Sequence, residues 1–159
     1  MTRRSRAREV ALQLLFQRDI NTDVPRRAIE RFVKDRLSNL EAEQFCLGLY
    51  DGVVGSIKAV DTRITAASEN WKLHRMAASD RNVLRLGAYE LVHAATPTPA
   101  AVALDEAIEL ARRYGSEDSP AFVNGVLDKI FRVFSDEKAK AAAPPPPPPP
   151  AAVVAEQPA

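Results

Sequence analysis

The first residues of the chain carry a dense group of arginines that could bind phosphate. Four permanent positive charges fall within six residues, at Arg3, Arg4, Arg6 and Arg8. A guanidinium group binds phosphate oxygens through paired hydrogen bonds and can stack on an exposed base. A helix by itself favours acidic side chains near its N-terminus, so this arrangement indicates an anionic ligand. The alternative is a solvated terminus whose arginines bind nothing.

A second candidate region is the segment 113–125, which is specified more closely than a turn between helices requires. Asp118 can satisfy free N–H groups at the start of a following helix. Phe122 is either a core side chain or a stacking platform for a base. Asn124 and Gly125 both weaken a helix, and the simplest reasons for them are a polar contact by Asn124 and close helix packing at Gly125.

The sequence gives little support for catalysis. Both histidines are isolated, the single cysteine Cys46 cannot form an intramolecular disulfide, and no His/Cys cluster has metal-ligand spacing. Asp105, Glu106 and Glu109 could serve as acid and base, but we interpret the glutamates as surface ion-pair partners of neighbouring arginines. We predict no enzyme, no metal site and no cofactor. A site on this acidic cluster is the remaining enzymatic alternative.

Composition and charge limit the class of protein further. The chain has 159 residues, 46% of them apolar and 27% charged, which suits one compact domain. No apolar run approaches the roughly 20 residues that span a bilayer, and the start of the chain does not resemble a secretory signal. We therefore predict a cytoplasmic protein that does not enter a membrane.

The net charge of +1 conceals two regions of opposite sign. Residues 1–40 carry ten Lys/Arg against five Asp/Glu, whereas residues 41–70 carry two against five. A protein that binds only a polyanion would not show this contrast. The pattern predicts two partners, one polyanionic at the basic end and one basic at an acidic face.

Apolar residues recur at helical spacing, and alternating strand patterns are missing, so we predict an all-α chain of six to seven helices. The first helix begins near Arg3 or Arg4. The longest begins at a capping box, Ser38 to Glu41, and carries an apolar seam for over twenty residues. Later helices are predicted to start at Ser79-Asp80, at Thr98-Pro99 and at Ser119-Pro120, with a break at Thr96-Pro97.

The composition changes at Asp136, and eight of the twelve prolines follow it, including the run Pro144 to Pro150. Polyproline lacks amide donors and adopts an extended conformation, so it cannot join a helical core. We predict a helical domain over residues 1–135 and a disordered Ala/Pro-rich tail over residues 136–159. Docking of the proline run into an aromatic-lined groove is the alternative to a solvated extension.

Three stretches of the chain resemble the NusB family of transcription antitermination factors. The strongest is the segment 104–129, Leu-Asp-Glu-Ala-Ile-Glu-Leu-Ala-Arg-Arg-Tyr-Gly-Ser-Glu-Asp-Ser-Pro-Ala-Phe-Val-Asn-Gly-Val-Leu-Asp-Lys, which follows the family signature nearly residue for residue. Residues 80–91 and the opening 6–17 fit as well. The resemblance covers roughly residues 3–134 and leaves the proline tail outside.

The resemblance implies an all-α fold of two packed helical subdomains, about 1–70 and 71–135. It also implies a bacterial, non-enzymatic protein that binds single-stranded boxA RNA in ribosomal RNA leader transcripts. Its partner would be the small-subunit ribosomal protein NusE, and the pair would help the RNA polymerase elongation complex read through terminators. Family members occur as monomers and as dimers, so the resemblance also allows a homodimer of the free protein.

The resemblance further implies two sets of site residues. The RNA-binding set is Arg3, Arg4, Arg6, Arg8 and Phe122. The partner-binding set is Arg81, Arg85, Tyr89, Glu90 and Asp118. The competing hypothesis is a helical protein-interaction module that binds no specific RNA.

Overall fold

The computed structural model describes residues 1–95 and 98–151, and these residues form an all-α fold. The α-helices are α1 (Arg3–Ile20), α2 (Arg26–Arg36), α3 (Leu40–Gly55), α4 (Ile57–Ala67), α5 (Ala78–Ala88), α6 (Ala100–Tyr114) and α7 (Ser119–Ala142). A 3-10 turn (Leu73–Arg75) precedes α5, and a π turn (Tyr89–His93) follows it. The predicted all-α class is confirmed. The predicted break at Thr96-Pro97 lies outside the described residues.

Helix α1 packs against α2, α3 and α5. Its predicted apolar stripe is confirmed, since the following side chains are buried: Ala7, Val10, Ala11, Leu14 and Leu15. Leu12 is also buried, so α1 is covered on more than one side. Burial of this kind fixes the orientation of α1, and therefore the direction in which its first turn presents side chains to solvent.

The predicted longest helix is two helices in the structure. Ser56 ends α3: its backbone leaves the helical region (φ −115°, ψ 20°), its hydroxyl competes with its amide for the carbonyl of Gly52, and the chain then restarts as α4. The seam nevertheless continues across the break, with Cys46 buried in α3 and Ile64 buried in α4. The cap of α3 is Asn39 rather than Ser38, and its side-chain oxygen accepts from the Ala42 amide at 2.8 Å.

Two other predicted helix starts differ by a residue or two. Helix α5 begins at Ala78 without a side-chain cap, so neither Ser79 nor Asp80 acts as its N-cap. Helix α6 begins at Ala100, directly after Pro99. These differences are small because proline and short polar side chains mark the neighbourhood of a helix end better than its terminal residue.

Helix α7 extends to Ala142, beyond the predicted domain end at residue 135. Lysine and alanine in this stretch favour a helix strongly enough to continue it without burial. The proline run Pro144 to Pro150 is exposed and has no helical structure. The extent of disorder across residues 136–159 stays a prediction, and residues 152–159 lie outside the described part of the chain.

The buried side chains form one continuous core. Helix α4 packs against α5 and α7, and α1 packs against α5, so the first four helices share this core with the last three. The division into subdomains near residue 70 therefore stays a prediction.

Gly52 lets α3 and the π turn approach each other, which gives a stability prediction. A Cβ added at Gly52 would overlap the Tyr89 ring, whereas one added at Gly48 would meet open space. We expect Gly52→Ala to lower the free energy of unfolding by about 1–3 kcal/mol. The matched Gly48→Ala change should raise it by about 0.5–1 kcal/mol through helix propensity. Urea unfolding of both variants checks this, and equal effects at the two sites would contradict it.

The packing predicted for Gly125 is wrong. Gly125 is exposed, and a Cβ at this position would meet no atom within 4 Å. Asn124 is also exposed. Within the described residues, nothing in the fold explains why these two weak helix formers stand within the continuous helix α7.

Candidate nucleic-acid interface

Two hydrogen bonds of Ser5 hold the first turn of α1, one to the N-cap residue and one to α6. The Thr2 hydroxyl accepts from the Ser5 amide at 3.0 Å, and the Ser5 hydroxyl donates to Glu106 of α6 at 2.6 Å. Glu106 thus brings a negative charge to the positive end of α1, where the helix itself has no acidic residue. This arrangement fixes the backbone from which Arg3 and Arg4 project.

Arg3 and Arg4 are the most available of the predicted arginines. Arg3 is exposed and forms no ion pair within residues 1–95 and 98–151. The Arg4 side chain is 57% exposed, lies 4.7 Å from the centroid of the Phe45 ring, and is 3.8 Å from Glu41. Exposed contacts of this length contribute little to stability and can be exchanged for a stronger anion. Both guanidinium groups can therefore reach a phosphate.

Arg6 is only partly free to bind a phosphate, because its guanidinium is paired with a carboxylate that also accepts hydrogen bonds from α6. Glu9 accepts from Arg6 at 2.8 Å, from Arg113 at 3.0 Å and from the Tyr114 hydroxyl at 2.7 Å. The Arg6 side chain remains 41% exposed. The same carboxylate therefore joins the basic start of α1 to the end of α6, just before the turn that leads to Asp118.

The assignment of Arg8 to the RNA surface is corrected by its burial. Its side chain is 3% exposed, and its guanidinium donates to Glu90 through two bonds, Nε to Oε1 at 2.6 Å and Nη2 to Oε2 at 2.9 Å. Arg8 lies one helical turn beyond Arg4, where α1 enters the core. It can act on RNA only indirectly, by holding α1 against the π turn.

Glu90 and Arg85 are likewise corrected as partner-surface residues. Glu90 is buried against Arg8. Arg85 is also buried, and its guanidinium donates to Asp61 of α4 at 2.9 and 3.1 Å and to Asp19 of α1 at 3.2 Å. Side chains engaged in this way link helices within the protein and are not free for a partner.

The other predicted partner residues lie nearer the surface. Arg81 donates to Asp19 at 2.9 Å and is partly exposed. Tyr89 is half-buried, and its ring lies over Gly52. Asp118 is exposed at the turn between α6 and α7, where it precedes Ser119 without capping the helix through its side chain. These three residues do not form one contact cluster within the chain.

Asp19 binds both Arg81 and Asn82, and this environment shifts its titration. Burial alone would raise the pKa of the Asp19 carboxyl, but the hydrogen bonds from Arg81 and Asn82 outweigh burial and hold its pKa below the usual 3.8. A carboxylate with a lowered pKa in the folded state stabilises the fold above its unfolded pKa, and the contribution is lost as pH falls through the folded pKa.

We therefore expect Asp19→Asn to be less stable than the parent near neutral pH, with the difference shrinking below about pH 4. Urea unfolding across this pH range measures the difference. Asp35→Asn is the control, since Asp35 is exposed and has no ion pair within the part of the chain that the structure describes. A difference that stays constant down to low pH would contradict this role of Asp19.

A groove of about 280 Å³ lies beside the turn between α6 and α7. Phe122 lines it together with Trp71, and the two rings meet edge to face at 6.3 Å between centroids. Trp71 is exposed and Phe122 is half-buried. The Phe122 ring packs on the core and also lines the groove, and its use as a stacking platform for a base stays a prediction.

The groove also contains an unsatisfied acceptor. Oδ1 of Asp80 is buried there and has no hydrogen-bond partner among the described residues. A buried acceptor without a partner is costly to the fold. Neither Trp71 nor Asp80 was predicted to bind a ligand. The available signals were that Trp71 is the single tryptophan and that Asp80 lies in a segment of family resemblance.

The predicted acidic cluster does not form a metal site in the structure. No group of His, Cys, Asp or Glu residues in the described ranges could hold a metal ion. Glu109 is bound to Arg112 and lies 4.0 Å from Arg113, as predicted, whereas Glu106 is bound to Ser5 instead. No helix formed by the described residues is long and apolar enough to cross a membrane.

The chain is similar to proteins of one known family. The model of the NusB family matches residues 5–132. A relative from Sorangium cellulosum, named transcription antitermination protein NusB, is 48% identical, and the match covers 82% of this chain and 92% of the relative.

Two solved structures show the same fold. NusB of T. maritima is 35% identical with a TM-score of 0.73, over 88% of this chain and 98% of that one. A chain from the crystal structure of the antitermination factors NusB and NusE in complex with double-stranded RNA is 27% identical, with a TM-score of 0.75, over 84% and 99% of the two chains.

Proposed function

This chain belongs to the NusB family, and we propose from that premise that it is an RNA-binding transcription antitermination factor. It binds boxA-type single-stranded RNA in ribosomal RNA leader transcripts together with NusE, and the pair promotes read-through by RNA polymerase. It acts in the cytoplasm without catalysis. A similar chain crystallised with NusE and RNA supports the choice of partners.

One observation carries this proposal: the chain presents both exposed arginines and an aromatic groove. Arg3 and Arg4 lie in the first turn of α1, whereas the groove residue Asp80 directly precedes Arg81, which binds Asp19 near the end of α1. Arg4 and Asp19 are fifteen positions apart, about 22 Å along the helix. A single strand of several nucleotides is therefore needed to contact both regions at once.

The two regions supply different parts of RNA recognition. Arg3, Arg4 and Arg6 bind phosphates, which position the strand without reading its sequence. Phe122 and Trp71 offer ring faces and edges on which an unstacked base can rest. Arg8 is absent from this set because its charge is already neutralised in the interior.

The NusE surface is proposed to use Arg81, Tyr89 and Asp118. Arg85 and Glu90 support this surface without touching NusE, because their ion pairs hold α5 against α4 and the π turn against α1. Binding of NusE next to the groove extends the RNA surface and lowers the cost of ordering the strand. The free protein is proposed to form a homodimer or a monomer, depending on concentration.

Fluorescence anisotropy tests this function with a boxA-like RNA and a scrambled RNA of equal composition, each with and without NusE. We expect preference for the boxA-like RNA and tighter binding when NusE is present. Equal binding of both RNAs in both conditions would contradict the proposal and favour a helical protein-interaction module.

A further inference from the structure

The solvent face of α2 carries a row of cations that the proposed RNA site does not use. Arg27, Arg31 and Lys34 follow the spacing i, i+4 and i+7, which places them on one face of the helix. All three are exposed. Within the part of the chain that the structure describes, none of them forms an ion pair or a side-chain hydrogen bond. We refer to these three residues as the α2 stripe.

The acidic residues near the stripe do not neutralise it. Glu30 binds Arg26, and Arg26 also donates to Asp51 of α3 at 2.5 and 2.9 Å. These contacts join α2 to α3 and consume the nearest carboxylates. Asp35 is the remaining acid of α2, so the stripe retains an excess of positive charge.

The stripe is not explained by the stability of α2. The helix has no acid in its first turn, where Arg26 and Arg27 oppose the helix dipole. Ile29 and Val33 are buried and hold α2 against α3, so the orientation of the opposite face is fixed. A rigid row of unpaired cations is a favourable surface for a polyanion.

The position of α2 connects the stripe to the arginines of α1. Helix α2 ends at Arg36, and α3 begins after the Asn39 cap. Glu41, in the first turn of α3, lies 3.8 Å from Arg4. Glu41 is five positions after Arg36, a path of at most about 18 Å. The C-terminal end of α2 therefore lies near the start of α1, and the stripe leads away from it along the helix.

We propose that the α2 stripe is a second phosphate-binding surface, which holds the RNA that flanks the segment bound at Arg3 and Arg4. The inference rests on the proposed function and extends its site. The stripe spans eight residues, about 10 Å of helix, which suits two or three consecutive phosphates. Its contacts go to the backbone, so it adds affinity and register without reading bases. Continuity with the α1 arginines favours RNA over an acidic protein as its ligand.

Anisotropy with RNAs of two lengths tests the stripe. The short RNA is the boxA-like segment alone, and the long RNA adds about ten unrelated nucleotides at each end. The stripe variant is Arg27→Gln, Arg31→Gln and Lys34→Gln. The control variant is Lys58→Gln, Lys138→Gln and Lys140→Gln, which removes the same charge from exposed positions on α4 and α7. Circular dichroism verifies that each variant is folded.

We expect the parent and the control variant to bind the long RNA about tenfold more tightly than the short one, and the stripe variant to lose this gain. For the long RNA, the slope of log affinity against log salt concentration should fall in magnitude by about 2 in the stripe variant, because each lost phosphate contact accounts for about 0.7. Binding of the short RNA should change less than about twofold.

Three results would overturn the inference. The first is equal behaviour of the stripe and control variants, and the second is an equal loss for both RNA lengths. The third is an effect of the stripe variant on NusE binding without RNA, which would assign the stripe to a protein partner. Failure of the parent to prefer the boxA-like RNA is a separate result, because it refutes the proposed function itself.

Discussion

Replacing Glu90 with alanine is expected to lower the free energy of unfolding by about 3–5 kcal/mol. The change leaves the Arg8 guanidinium in the interior without the two hydrogen bonds that it makes at 2.6 and 2.9 Å. Glu106 compensates only in part, because its carboxylate lies 3.8 Å from the Arg8 guanidinium, beyond hydrogen-bond distance. Chemical denaturation followed by circular dichroism measures the loss.

A double variant separates the cost of an unpaired charge from the value of the pair. Arg8→Met combined with Glu90→Leu removes both charges and keeps apolar volume in the same place. We expect it to recover most of the stability lost in Glu90→Ala, since a buried ion pair replaced by apolar groups is often neutral. A loss below about 1 kcal/mol in Glu90→Ala would show that water reaches Arg8 and that the pair does not hold α1.

The second large effect is expected on RNA binding. The triple change of Arg3, Arg4 and Arg6 to alanine should weaken binding of the boxA-like RNA by about a hundredfold near 0.1 M salt. It should also lower the slope of log affinity against log salt concentration by about 2 in magnitude. Three phosphate contacts at about 0.7 per phosphate give this value. The measurement is an anisotropy titration repeated at several salt concentrations.

Stability gives the control for this experiment. Arg3 and Arg4 are exposed, and the buried Glu9 carboxylate that Arg6 binds keeps Arg113 and Tyr114 as donors, so the free energy of unfolding should change by less than about 1 kcal/mol. Arg8 is left in place because its removal would disturb the core. If the triple variant binds RNA with the affinity of the parent, the phosphate-binding surface lies elsewhere. Circular dichroism shows whether the variant is folded.

Arg8 shows what a linear pattern cannot predict. Spacing in the sequence treats the arginines of the first helix as equivalent, but successive turns of α1 face different surroundings. Arg4 still meets solvent, whereas Arg8, one turn later, meets the π turn. Its partner Glu90 is distant in sequence, so the pair becomes evident only when the packing of α1 against α5 is known.

The apolar stripes could be predicted because helical periodicity is a local property. Burial of Ala7, Val10 and Leu14 follows directly from their spacing. The break at Ser56 could not be predicted in the same way, since the seam of buried residues continues on both sides of it. There the serine hydroxyl competes for a backbone carbonyl while the apolar pattern is unchanged.

The candidate groove could be predicted from the sequence only in part. Phe122 and Asp118 were predicted from the family resemblance, because both lie within one continuous segment. Trp71 and Asp80 come from other segments, and only the turn before α5 brings them to Phe122. The unpaired oxygen of Asp80 is a property of three-dimensional burial and has no sequence signal.

Burial of Cys46 has a practical consequence for labelling. Burial raises the pKa of this thiol to about 12, so at neutral pH almost none of it is the nucleophilic thiolate. A cysteine introduced at an exposed position would then be the main site of reaction with a maleimide dye. Fluorescence energy transfer from such a dye to a labelled oligonucleotide could report the path of the strand without first removing the native thiol.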